Sequence, residues 1–170
     1  RPDKRNAIDY DVRQLLIEAL HDVLDDGETR ALVLVGVGAH FSAGGDLPSM
    51  IGLSEAQARA RLQHIGVLCR LLGGANIPVV TAMEGFSAGA CVGLAMLGDE
   101  IFAGENTRII FPFLKLGLVP DWGSLMTLPR RVGVATARRL TTSSDPVSGA
   151  EAHRIGLVDY LKPDAEVMPA

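Results

Sequence analysis

The sequence predicts a layered α/β domain, and three observations carry that expectation. Two apolar runs, "ALVLVGV" at 31–37 and "PVVTAM" at 78–83, read as buried strands. Each follows a segment whose apolar residues recur at helical spacing, over 12–24 and 58–72. Each also leads into a turn of small residues, "GAHFSAGGDL" after the first and "EGFSAGACVG" after the second. Helices feeding buried strands in this way indicate a sheet covered by helices.

The elements follow in order. Asp9 is placed to cap a helix whose residues Val12, Leu15, Leu16, Leu20, Val23 and Leu24 share one face, and Gly27 closes it. The strand at 31–37 comes next. Ser54 and Glu55 open a second helix with Ala58, Leu62, Ile65, Leu68 and Leu72 on its apolar face, stopped by "GGANIP". After the strand at 78–83, "GFSAGACVGLAML" reads as a turn into a very apolar helix. "DEIFAG" and "TRIIF" read as short strands. Residues 122–140 form two helical pieces broken at Pro129 and Gly133. Ser148 and Glu151 have capping-box spacing for the helix "SGAEAHRIG", and "LVDYL" is a last strand. No fixed period relates these units.

The bulk numbers bound the function. One domain over 1–170 is expected at this length, with 48% hydrophobic residues, 21% charged residues and a net charge of −4. Nothing is basic enough for a nucleic-acid surface, and no apolar run reaches membrane-spanning length. Cys69 and Cys91 lie in apolar segments and fit no metal spacing, and the four histidines form no metal-binding pair, so no metal site is expected. These features suit a reducing, cytoplasmic compartment without nucleic-acid or membrane partners. The chain opens "RPDKRNA" without Met and ends in the polar tail "KPDAEVMPA", so further sequence is expected beyond both ends.

Two segments share one design, a buried strand, a turn of small residues and a helix start. Helix starts leave backbone N–H groups unpaired. Two such ends facing each other can hold an oxyanion between two amides, and small residues admit the ligand to the backbone. Alternatively, "SAGGD" is a tight turn with Asp46 as helix cap, and Gly85, Gly89 and Gly93 permit close helix packing. Phosphate-cradling glycine motifs are absent. "GFSAG" at 85–89 matches the frame of a serine nucleophile elbow, with Ser87 as nucleophile and His153 as the downstream base.

The segments "RPDKRNAID", "HFSAGGDL", "GFSAGACVGLAML", "FPFLKLGLVPDWG" and "AHRIGLVD" together resemble the crotonase superfamily, the enoyl-CoA hydratase/isomerase family, in order and spacing over nearly the whole chain. The resemblance implies a spiral of ββα turns, with the family's N-terminal strands before Arg1 and its C-terminal helices beyond Ala170. It implies homotrimers or hexamers, an acyl-CoA thioester as ligand, and no cofactor beyond the coenzyme A of the substrate. It assigns the two oxyanion-binding amides to Gly45 and Ala90. It places Lys4 and Ala7 near the CoA nucleotide and pantetheine. It sets Ala43, Asp46 and Leu47 on the CoA loop, and Gly89, Phe113 and Leu116 on the acyl side. A solvated charge run is the alternative for Lys4 and Arg5.

A hydratase of this family uses two glutamates, and the corresponding positions here are Gly93 and Phe113. Asp121 of "GLVPDWG" is the remaining acid, either a helix cap or, by resemblance, a catalytic base whose pKa apolar Phe113 and Trp122 would raise. The reading is an acyl-CoA enzyme that shifts an enoyl double bond through an enolate, with Asp121 as base and Gly45 and Ala90 as oxyanion donors. The alternatives are a hydratase with non-standard water activation, a serine hydrolase using Ser87, and a non-catalytic acyl-CoA binder.

Overall fold

A computed structural model describes residues 1–168. A short 3₁₀ turn at Pro2–Lys4 leads into α1 (Tyr10–Asp25). The first strand, β1 (Leu32–Val35), is followed by a 3₁₀ turn at Leu47–Met50 and by α2 (Glu55–Gly73). Then come β2 (Val79–Met83), β3 (Phe86–Ala88), α3 (Ala90–Ala95), β4 (Glu100–Gly104) and β5 (Arg108–Ile110). The remainder comprises α4 (Ser124–Val132), α5 (Val134–Ser143), β6 (Val147–Ser148), α6 (Gly149–Arg154) and β7 (Tyr160–Lys162).

The strands form two sheets. One is parallel throughout, in the order β1-β2-β4-β7. The other runs β3-β5-β6, with β3 and β5 parallel and β6 antiparallel to β5. The chain passes between them at each step, from β2 to β3, from β4 to β5 and from β6 to β7. A helix follows each of these strand pairs or lies within it. This is the repeated ββα spiral that the resemblance implies.

Local chemistry explains the helix starts. The Asp9 carboxylate accepts from the Val12 N–H at 3.0 Å. Ser54 and Gln57 form a reciprocal capping box on α2. On α6 the Ser148 hydroxyl accepts from the Glu151 N–H, but the Glu151 carboxylate pairs with Arg154 instead of returning to the cap. Only half of the expected box is therefore made.

Several boundaries differ from expectation for identifiable reasons. The strand expected to be buried at 31–37 is four residues long and only half-buried on one face, with Val33 54% exposed on the other. It is a sheet edge, and only Leu32 and Leu34 turn toward the core. Leu15 is 63% exposed, and the deeply buried positions of α1 are Arg13, Ile17 and Leu20. Pro129 does not break α4. It sits inside the helix, which ends at Gly133. "GFSAGACVGLAML" contains the three-residue strand β3 before its helix, because Phe86–Ala88 pairs with Arg108–Ile110. The last strand starts at Tyr160, later than "LVDYL" suggests, because Leu157 and Val158 are core residues beneath the sheet end. The expected polar tail folds into a 3₁₀ turn at Asp164–Glu166, and its last two residues lie outside the described ones.

Candidate active site

Residues 42–45 run beside residues 86–90. The Ser42 N–H donates to the Phe86 carbonyl at 3.2 Å, and the Ala88 N–H donates back to the Ser42 carbonyl at 3.0 Å. Cys91 adds a third tie, its thiol donating to the Ser42 carbonyl. Gly44 makes this approach possible. Its φ is +85°, and a side-chain carbon there would collide with the Ala88 carbonyl. The bare backbone at Gly44 is thus first a packing requirement between the two segments.

Gly45 serves a different end. It forms a parallel bridge with Ile8 through the Gly44 carbonyl and the Asp46 N–H. Neighbouring amides in extended chain point to opposite sides, so the Gly45 N–H faces away from Ile8. Among the described residues it has no backbone acceptor. Ala90 opens α3, and its N–H likewise lacks a helical acceptor. Gly89 before it adopts φ +55°, ψ −116°, a conformation suited to glycine.

Gly45 and Ala90 line one cavity of about 590 Å³. Of the residues expected from sequence, Ala43, Leu47, Gly89, Phe113, Leu116 and Asp121 line it too. Three do not. Asp46 caps the turn at Leu47–Met50 by accepting from the Ser49 N–H at 3.1 Å. Ala7 faces a separate small cavity against Phe41. Lys4 is exposed at the end of the first turn.

Asp121 is not the cap of α4. That position is Gly123, and the Asp121 carbonyl, rather than its carboxylate, accepts from the Ser124 N–H at 2.9 Å. The carboxyl stands in the cavity wall beside Pro120 and Trp122. Burial pushes its pKa up to about 6, against the pull of the Arg61 guanidinium.

Gly93 and Phe113, the positions where the resemblance would put a hydratase's glutamates, are filled by packing. Trp122 is 2% exposed. A side-chain carbon on Gly93 would lie 2.6 Å from the Trp122 carbonyl oxygen and 2.9 Å from its Cβ. The tryptophan therefore requires glycine beneath it and forms a buried wall of the cavity. Phe113 lines the cavity next to Gly89.

Ser87 lies in β3, wholly buried, and its hydroxyl has no hydrogen-bond partner. It is absent from the cavity, and His153 is exposed on α6. Neither the strained turn nor the adjacent base of a nucleophile elbow is present, so the serine-hydrolase expectation is corrected. Cys91 is also structural, its thiol pushed up to about 12 by burial.

Several apolar lining residues, among them Met50, Leu53 and Leu62, and one charged residue, Arg61, were not foreseen. Arg61 projects from α2 beside Asp121. The sequence held a signal for it, since Arg61 is three residues after Ala58 and four before Ile65, a cation on an otherwise apolar helical stripe.

With this geometry in view, comparison with known proteins is decisive. The family model described as "Enoyl-CoA hydratase/isomerase" matches residues 1–170. The chain belongs to this family, within the crotonase superfamily. It is 34% identical over 170 residues to the crotonyl-CoA hydratase of Syntrophomonas wolfei, covering 99% of this chain and 65% of that protein. It is 33% identical over 162 residues to the 1,2-epoxyphenylacetyl-CoA isomerase of Escherichia coli, covering 93% and 62%. The crystal structure of an enoyl-CoA hydratase from Bacillus anthracis superposes with a TM-score of 0.93 at 27% identity, covering 98% of this chain and 65% of that one. The chain thus spans a little under two thirds of the length of these relatives. Among the described residues, no helix is long and apolar enough to cross a membrane.

Proposed function

We propose that this family member acts on an acyl-CoA thioester and shifts a carbon–carbon double bond through a thioester enolate. The observation that carries this reading is the uncapped carboxyl of Asp121, held with a pKa of about 6 in the same cavity as two free backbone amides. A base of that strength matches proton abstraction next to a thioester near neutral pH. With a 3-enoyl thioester, the Asp121 carboxylate takes a proton from the α-carbon. The released electron pair moves onto the thioester oxygen, which the Gly45 and Ala90 N–H groups hold. Each such donor is worth about 3–4 kcal/mol in a transition state of this kind. The protonated Asp121 then returns its proton to the γ-carbon, giving the 2-enoyl thioester. Atoms and charge balance within the site, and no metal or redox cofactor takes part.

Hydration of an enoyl-CoA is the second reading, favoured by the names of relatives such as the S. wolfei hydratase. It would ask Asp121 alone to activate water, since Gly93 and Phe113 offer no carboxylate.

The test is proton exchange in heavy water followed by NMR, across 2-enoyl and 3-enoyl thioesters. Wild type should exchange α- and γ-protons and interconvert the isomers. Asp121→Asn should lose on the order of 100- to 10,000-fold in exchange rate, with CoA affinity near wild type. Wild-type exchange rates in the variant would rule out Asp121 as the base. A wild type that exchanges nothing would favour an acyl-CoA binder without turnover. Water addition without isomerisation would favour the hydratase.

A further inference from the structure

Arg61 has no work in the mechanism above, yet it stands inside the cavity that mechanism uses. Its Nη2 is buried and has no hydrogen-bond partner. A side-chain carbon added to Gly45 would lie 3.3 Å from that nitrogen, so the guanidinium rests against the Gly45 backbone. No carboxylate oxygen among the described residues lies within 4.0 Å of it. Arg61 and Asp121 are the charged side chains of the cavity, and the wall around them is hydrocarbon from Leu47, Met50, Leu53, Leu62, Phe113 and Trp122. Asp121 and Asp46 attract Arg61 from a distance, and Arg13 repels it from the α1 side.

A plain hydrocarbon acyl chain fits poorly against such a group. Filling the cavity with it would strip the remaining water from the guanidinium and leave its donors unsatisfied. An oxygen acceptor on the chain removes that penalty, because the planar fork of arginine matches carboxylate and carbonyl oxygens. Resting on the acyl-CoA reading above, we propose that Arg61 is a specificity-determining residue that selects acyl chains bearing an oxygen acceptor beyond the thioester. The acceptor would sit on the α2 side of the cavity, within reach of the Arg61 guanidinium. Such acceptors come as anionic carboxylates or as neutral carbonyl oxygens, and binding measurements separate the two.

The experiment is calorimetric binding of three saturated five-carbon thioesters to the full-length protein. Pentanoyl-CoA has no second acceptor, 4-oxopentanoyl-CoA has a neutral one, and glutaryl-CoA has a carboxylate. None contains a double bond to shift, so binding is read independently of turnover. Wild type should bind at least one oxygenated thioester about 10-fold or more tighter than pentanoyl-CoA, with the preferred one identifying the acceptor. Arg61→Met should abolish that preference while holding pentanoyl-CoA at least as well as wild type. Arg61→Lys, which keeps the charge and loses the fork, should retain part of the preference and covers the case in which the methionine variant fails to fold. Equal affinity of wild type for all three thioesters overturns the proposal for Arg61 alone, as does a preference that survives in the methionine and lysine variants undiminished. Failure of all three to bind overturns the acyl-CoA reading and this proposal with it.

Discussion

The carboxyl of Asp121 titrates near 6 because burial against the cavity wall outweighs the attraction of Arg61. This has a consequence for stability as well as for rate. A carboxyl whose pKa is raised on folding binds its proton more tightly in the folded state than in the unfolded one. Its contribution to stability is therefore fully present below the ordinary value of 3.8 and is lost as the pH rises through about 6. Asp121→Asn stays neutral at every pH. Thermal denaturation should show it more stable than wild type by about 3 kcal/mol at pH 8 and nearly equal to wild type near pH 3.5. The rate of proton exchange should move oppositely, rising through about pH 6 to a plateau as the base ionises. Ser87→Ala should alter activity less than about twofold, and a fluorophosphonate probe should leave the wild-type protein unlabelled, since that buried hydroxyl meets no base. At this scale much was legible. Gly45, Ala90 and Asp121 lie in recognisable segments. Asp46 declared itself as a cap because a short polar side chain precedes a proline-bearing turn. Arg61 belongs to no motif, and only its place on the α2 stripe betrays it. Lys4 and Ala7, placed by the resemblance near the CoA nucleotide and pantetheine, lie outside this cavity.

The contact between α3 and the start of α4 explains why one element excludes a carboxylate from its expected place. Trp122 adopts φ +52° and drives its backbone against Gly93. Gly93→Glu should therefore not install hydration. It should destabilise the fold by about 1–3 kcal/mol, as overpacking does, and leave crotonyl-CoA hydration at the wild-type level. Chemical denaturation and a hydration assay check the two halves. Gly44→Ala should be as damaging, because it forces apart the 42–45 and 86–90 segments that set the two amides. Helix interiors and caps were readable from periodicity and from Asp9 and Ser54. Element ends were less so. Pro129 stays within α4, next to the buried Leu128, so packing of the helix outweighs the one backbone bond that proline removes. The brief strand β3 is invisible locally because its pairing partner, β5, lies twenty residues downstream.

Across the whole molecule, the spiral brings segments from residues 43–62, 89–90 and 112–122 around one cavity. The sequence order of the apolar runs implies such layering, but only the crossing between two sheets puts the amides of Gly45 and Ala90 on the same wall. Exposed Leu114, Leu118, Val119, Leu125, Met126 and Val134 gather on the segment from 114 to 134. Apolar exposure of this kind marks interaction surfaces. The resemblance to the crotonase superfamily implies a trimer or hexamer; the full-length protein should sediment as one, and a stable monomer at micromolar concentration would count against that expectation. The proposed chemistry needs two amides and one carboxyl to act on the same thioester. Its most direct test is a crystal structure of the full-length protein with a bound acyl-CoA. The thioester oxygen should lie about 2.7–3.1 Å from both the Gly45 and Ala90 nitrogens, with the Asp121 carboxylate facing the α- and γ-carbons. A thioester bound elsewhere, or one seated between the amides with Asp121 turned away from the acyl chain, would contradict it.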